Sequence, residues 1–219
     1  MKIAERLAAA IAGGVRQIGQ VSIRPRTDGA GYELRHIDDE GLPAAELDTH
    51  ADPEMARTFS TWAADDHYRF TKGELSLMRG WMLLLSSADE LRQALDLFYP
   101  AATGLWFAQQ DGRIEAEHLR PKLNRQTGMY RFARNLSDAG AQRLVTEVCG
   151  PGHCCVKKIL WQIDANTPLE ASEASRFDGV TGDVNRSQAI PLLCREACNH
   201  FVAEARKASK AEQDAKAAG

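Results

Sequence analysis

Gly80-Trp-Met-Leu-Leu-Leu-Ser-Ser-Ala-Asp-Glu-Leu-Arg-Gln-Ala-Leu-Asp-Leu-Phe-Tyr99 compresses a strand, a helix cap and a helix into one stretch of chain. Residues 81–85 are apolar without a break, as in a strand buried on both faces or close to it. Ser87 with Glu90 three residues on is a capping box. Leu91, Ala94, Leu95 and Phe98 then recur at helical spacing, and Tyr99-Pro100 closes the helix. Downstream, Gly104-Leu-Trp-Phe-Ala108 predicts another strand, ended by an Asp111-Gly112 turn. Upstream, His67-Tyr-Arg-Phe70 predicts a further one. Gln20-Val-Ser-Ile-Arg24 and Tyr32-Glu-Leu-Arg-His-Ile37 alternate apolar and polar residues about the turn signal Thr27-Asp-Gly-Ala-Gly31, so they predict an antiparallel hairpin. A helix over residues 3–12, stopped by Gly13-Gly14, precedes it. This order predicts the α+β class: small antiparallel sheets with packed helices.

The 219 residues suffice for one large domain or two small ones. Hydrophobic residues make up 44% and charged residues 26%, an ordinary globular balance. A formal charge of −3 gives no basis for nucleic-acid binding. No apolar run approaches the length of a membrane span. A cytoplasmic protein is expected.

All five cysteines fall after residue 148, in Cys149-Gly-Pro-Gly-His-Cys154-Cys155 and Cys194-Arg-Glu-Ala-Cys198. An odd number confined to one region argues against a disulfide framework. Thiols clustered on short spacers with a long insert between the clusters suit a four-thiolate metal or iron–sulfur site. The spacing alone leaves zinc and iron–sulfur both open, and leaves open which of Cys154 and Cys155 is spare. The helix predicted over residues 138–149, with Ala141, Leu144, Val145 and Val148 in register, delivers Cys149 at its end. Residues 156–161 predict a strand. Pro191 predicts the start of a C-terminal helix carrying both Cys194 and Cys198 on one face. His153 and His200 flank the clusters and are expected to be ordinary loop and surface residues.

Residues 113–135 are basic in an otherwise acidic chain. Arg120, Lys122, Arg125, Arg131 and Arg134, with Tyr130 and Phe132 between them, suit an anionic ligand or an acidic partner. No Gly-rich phosphate loop, metalloprotease helix or nucleophile elbow is present, so no residue is assigned a catalytic role.

The stretches Cys155-Val-Lys-Lys-Ile-Leu-Trp161 and Pro191-Leu-Leu-Cys-Arg-Glu-Ala-Cys-Asn-His-Phe-Val-Ala-Glu-Ala-Arg206 resemble the [4Fe-4S]-binding domain at the C-terminus of long-form sirohydrochlorin cobaltochelatases. Arg125-Gln-Thr-Gly-Met-Tyr-Arg131 is similar to that domain too. Arg79-Gly-Trp81 and Phe98-Tyr-Pro100-Ala-Ala-Thr-Gly104 resemble the small stabilising domain before it. The likeness covers roughly residues 66–206. It implies one [4Fe-4S] cluster held by Cys149, Cys155, Cys194 and Cys198, with Cys155 placed by its register to Trp161 and Cys154 spare. The chelatase domains and their metal-inserting histidines have no counterpart in residues 1–65, so chelatase activity is not carried over. The resemblance thus implies an iron–sulfur protein with a redox, electron-transfer or accessory role in cobalamin or siroheme metabolism, whose partner is an anionic tetrapyrrole or a redox protein. The alternative is a non-catalytic interaction module in which the cluster, or a zinc ion, only holds the fold. The expected division is an N-terminal helix and hairpin region (1–65), a stabilising domain (66–112), a cluster domain (113–207) and a disordered tail (208–219).

Overall fold

The computed structural model describes residues 2–29, 31–60, 77–114, 117–149, 158–159, 161–162, 188–194 and 198–218. The chain divides into two compact units. The first runs to about residue 114 and takes in residues 183–192; the second holds most of the remainder. The candidate strand His67-Tyr-Arg-Phe70 lies outside the described residues.

In the first unit, helix α1 (Ile3–Ala12) leads to strands β1 (Gln17–Ile18), β2 (Val21–Pro25), β3 (Tyr32–His36) and β4 (Asp48–His50), then helix α2 (Met55–Ser60). Strand β5 (Trp81–Leu85) and helices α3 (Ala88–Phe98) and α4 (Ala102–Gln110) follow. The strands form a six-stranded sheet in the order β4-β5-β3-β2-β1, completed at its edge by Ala189–Ile190. The predicted hairpin is present, with β2 antiparallel to β3 and Ile23 opposite Leu34. Leu34 also faces Leu83 of β5, so one fully buried row crosses three strands. Burying each such side chain contributes roughly 2 kcal/mol.

The sheet is mixed rather than antiparallel, because β4 joins β5 in parallel and Ala189–Ile190 joins β1 in parallel. Both parallel neighbours are two or three residues long and carry no pattern that a sequence reading could use. The continuously apolar β5 is buried as predicted, and Ser87 Oγ accepts the N–H of Glu90 to cap α3. Phe59, Trp81 and Phe98 stack across strand and helices with ring centroids 5.0 and 5.1 Å apart. One expectation fails here. Residues 104–108 form the middle of helix α4 and not a strand. A five-residue apolar run does not distinguish the two states, and the flanking Ala and Gln residues favour helix.

His36 ends β3 fully buried. Its Nδ1 accepts the N–H of Asp38 at 3.1 Å, while Nε2 has no partner among the described residues. Burial lowers its pKa; Asp38 and Asp39 oppose the shift and Arg79 adds to it. The fold therefore favours neutral imidazole. Below the unfolded value of about 6.5, the unfolded chain binds the proton more readily, so stability falls as pH falls. Thermal unfolding between mildly alkaline and mildly acidic pH should show this loss, and His36→Asn should flatten it. Equal slopes in both proteins would place the pH dependence elsewhere.

The second unit contains helix α5 (Leu119–Asn124), a 3-10 helix over Gly128–Asn135, helix α6 (Asp138–Cys149) and helix α7 (Asn199–Ala218). Two-residue strands accompany them: Glu117–His118 pairs with Trp161–Gln162, and Lys158–Ile159 with Leu193–Cys194. The strand predicted over residues 156–161 is present in these two short pieces. Leu119, Leu123, Ala133, Leu136, Leu144 and Phe201 lie in one buried core. The stretch expected as a disordered tail is helical to Ala218. Its Ala, Lys, Glu and Gln residues are strong helix formers, and the helix is anchored by a contact described below. Among the described residues, no helix is long and apolar enough to cross a membrane.

Candidate metal centre

Ser137 immediately precedes helix α6, and its Oγ accepts the N–H of Gly140 at 2.9 Å. Asp138 places a carboxylate in the first turn, where the helix dipole favours it. Ala141, Leu144 and Val145 are buried and Val148 is partly so, in the predicted register. Cys149 closes this apolar face and is itself buried in the core with Phe201, Val202 and Ala205.

Helix α7 starts after Cys198. The Val202 N–H bonds the Cys198 carbonyl, and the Phe201 N–H bonds the Cys198 sulfur at 3.4 Å. Cys198 thus sits where Ser or Asp normally caps a helix. Farther along α7, Glu212 accepts the Ser137 backbone N–H at 3.0 Å and the Ser137 hydroxyl at 2.7 Å. Gly140 leaves the room for this clasp, since a Cβ there would lie 2.0 Å from the Glu212 carboxylate. The clasp joins the start of α6 to the far half of α7, so the two helices run antiparallel. At about 1.5 Å per residue, the end of α6 and the beginning of α7 then lie at the same end of the pair. Cys149 shares its buried core with Phe201 and Val202, three and four residues after Cys198.

Cys194 is placed differently from expectation. It lies on the strand Leu193–Cys194, opposite Ile159, and is half-buried. Cys194 and Cys198 therefore do not share a helix face. A spacing of four is compatible with a helix but does not require one, and the buried Leu192 and Leu193 belong to extended chain that Pro191 equally permits. His200 lies in the first turn of α7, half-buried. His153, Cys154 and Cys155 lie outside the described residues. Among the described residues, no three His, Cys, Asp or Glu side chains converge as metal ligands on their own.

The basic run separates into two parts. Arg120 donates to the Leu136 carbonyl at 2.6 Å and pairs with Asp138, bracing the entrance to α6. Lys122 is half-buried, whereas Arg125, Arg131 and Arg134 are exposed. No sequence signal distinguished Arg120 from the others. The Glu212 clasp was equally hidden, within an Ala- and Lys-rich tail.

Two family models match the chain in succession. Residues 3–110 match the DR2241 stabilising domain, and residues 111–207 match a 4Fe-4S iron-sulfur cluster binding domain. The chain thus carries a stabilising-domain match followed by a [4Fe-4S] cluster-binding-domain match. Its cofactor is a [4Fe-4S] cluster, and the motif resemblance to a cluster domain preceded by a stabilising domain is borne out. The stabilising-domain match takes in the N-terminal helix and hairpin as well. A similar solved structure is DR2241 from Deinococcus radiodurans, at 27% identity and a TM-score of 0.68. The match covers 96% of this chain and 42% of that protein, which is described as multi-domain, with structural similarity to chelatases and two additional novel domains. No curated protein matches the chain.

The residues present fit an iron–sulfur cluster of this family. Cysteine sulfur is the donor such clusters take, and Cys149, Cys194 and Cys198 all belong to the second unit. The Cys198 sulfur already accepts a backbone N–H, the kind of contact that offsets negative charge on a cluster ligand.

Proposed function

We propose that Cys149, Cys155, Cys194 and Cys198 hold the cluster and that the protein serves as a redox or electron-transfer module in tetrapyrrole metabolism. The observation that supports the ligand assignment is the Glu212–Ser137 clasp at one end of α6, together with the core that Cys149, at its other end, shares with Phe201 and Val202, three and four residues after Cys198. Cys194 is opposite Ile159, and Cys155 precedes Ile159 by four residues, a reach of at most about 14 Å. When bound, the cluster supplies one-electron chemistry. The chain's own residues hold it: α6 presents one thiolate from its buried face, and α7 presents another at its positive end. The tetrapyrrole context is supported by the chelatase-like architecture described for DR2241.

Anaerobic purification followed by iron, sulfide and zinc analysis tests the cofactor, and reduction followed by electron paramagnetic resonance tests the role. A reversible signal on dithionite treatment and reoxidation is expected. A cluster that neither reduces nor reoxidises without loss would make it a structural element only.

A further inference from the structure

The residues from His118 to Ser137 include five Lys and Arg and no carboxylate, in a chain whose net charge is −3. Arg120 is committed to Leu136 and Asp138. Arg125, Arg131 and Arg134 are exposed and have no ion-pair partner among the described residues. Between them, Met129, Tyr130 and Phe132 remain 56%, 39% and 39% exposed. These are three of only six large apolar side chains exposed among the described residues, and they fall within four positions. The Arg131 guanidinium lies 5.0 Å over the Phe132 ring, which fixes a planar cation above an aromatic face. Ala133 is fully buried in the core that also contains Cys149 and Phe201. The 3-10 helix thus has one face committed to the core behind the cysteines and one face left to solvent.

We propose that this outer face is a docking surface for an acidic protein, with Met129, Tyr130 and Phe132 as the apolar centre and Arg125, Arg131 and Arg134 as the rim. Met, aromatic residues and Arg are the types enriched in protein interfaces, and Lys is depleted there. They supply most of the binding energy where they cluster. The absence of any carboxylate in the run fixes the sign of the partner. Exposed cations with no ion-pair partner among the described residues attract carboxylates over a Debye length of about 8 Å at physiological salt. The proposal deepens the redox reading by naming the class of partner, a small acidic electron-transfer protein, and it stands on surface residues that ligate nothing.

The test is equilibrium binding of the cluster-loaded full chain to an acidic flavodoxin, measured by calorimetry. Affinity should fall about tenfold or more between about 50 and 300 mM NaCl. The variant with Arg125, Arg131 and Arg134 each changed to Gln should lose most of the salt-sensitive part. Phe132→Ser should weaken binding about tenfold while leaving its salt dependence in place. Circular dichroism and iron content should be unchanged in both variants. Binding that is undetectable, or that is indifferent to salt and to both variants, overturns the proposal. So does preferential binding to anionic phospholipid vesicles, or self-association abolished by Phe132→Ser, either of which assigns the face to another occupant. The outcome is separable from the redox reading. A cluster that dithionite cannot reduce reversibly defeats that reading, whereas a reducible cluster in a chain that ignores the flavodoxin defeats only the docking surface.

Discussion

Replacing Cys198 with serine is expected to remove the cluster and leave the helix that follows it intact. Serine is a better helix cap than cysteine, so its hydroxyl takes over the Phe201 N–H now bonded to sulfur. Iron and sulfide should fall to background while helicity is retained. Cys149→Ser should also lose the cluster, but at additional cost. Its side chain is buried in the core with Phe201, Val202 and Ala205, where a hydroxyl is more costly to desolvate than a thiol. Cys194→Ser and Cys155→Ser should lose the cluster, and Cys154→Ser should keep it. Iron and sulfide per chain, with thermal unfolding of each variant, check the whole series. Full loading of Cys155→Ser with loss in Cys154→Ser would exchange those two assignments.

A second large effect is expected far from the cysteines. Gly31 has φ of +121° where the hairpin turn meets the end of β5, and a Cβ there would stand 1.9 Å from the Leu85 carbonyl oxygen. Both the backbone conformation and the contact exclude a side chain. The adjacent Tyr32 is already paired with Leu85, so relief requires opening the β3–β5 ladder. Gly31→Ala should destabilise the first unit by roughly 3 kcal/mol or more. Gly29, two residues earlier, has φ of +73° but open space around it. Gly29→Ala should cost only about 1 kcal/mol. Urea unfolding of the two variants separates conformation from contact, and equal losses would mean that Leu85 does not decide the outcome.

The contrast between what was legible in the chain and what was not follows from the range of the interactions. The β2–β3 hairpin, the buried β5 strand, the Ser87 cap and the apolar face of α6 are each set by residues within a few positions of one another, and all are present. The parallel pairings are set by contacts more than thirty positions apart along the chain and leave no local trace. Cys149 could be placed because a capped helix carries it. Cys194 could not, because its strand is defined by Lys158–Ile159 and not by its own neighbours. The four-residue spacing to Cys198 is compatible with a helix but runs from a strand end to a helix cap. Arg120 looked like one cation among five, and its role rests on two partners brought near by folding.

The strand Ala189–Ile190 has a consequence for modular exchange. It falls within the residues matched by the cluster domain, yet it forms the edge of the sheet in the first unit. Glu212, which clasps the start of α6, lies beyond the end of that same match. A fragment cut at the family boundaries would carry a strand without its sheet and a helix pair without its fastening, while the fragment left behind would expose the open edge of β1. In this chain the two matched domains are therefore interleaved. Recombination that respects the apparent seam between stabilising and cluster domains would break both, and a viable transfer has to move the chain from the first helix to at least Glu212 as one piece.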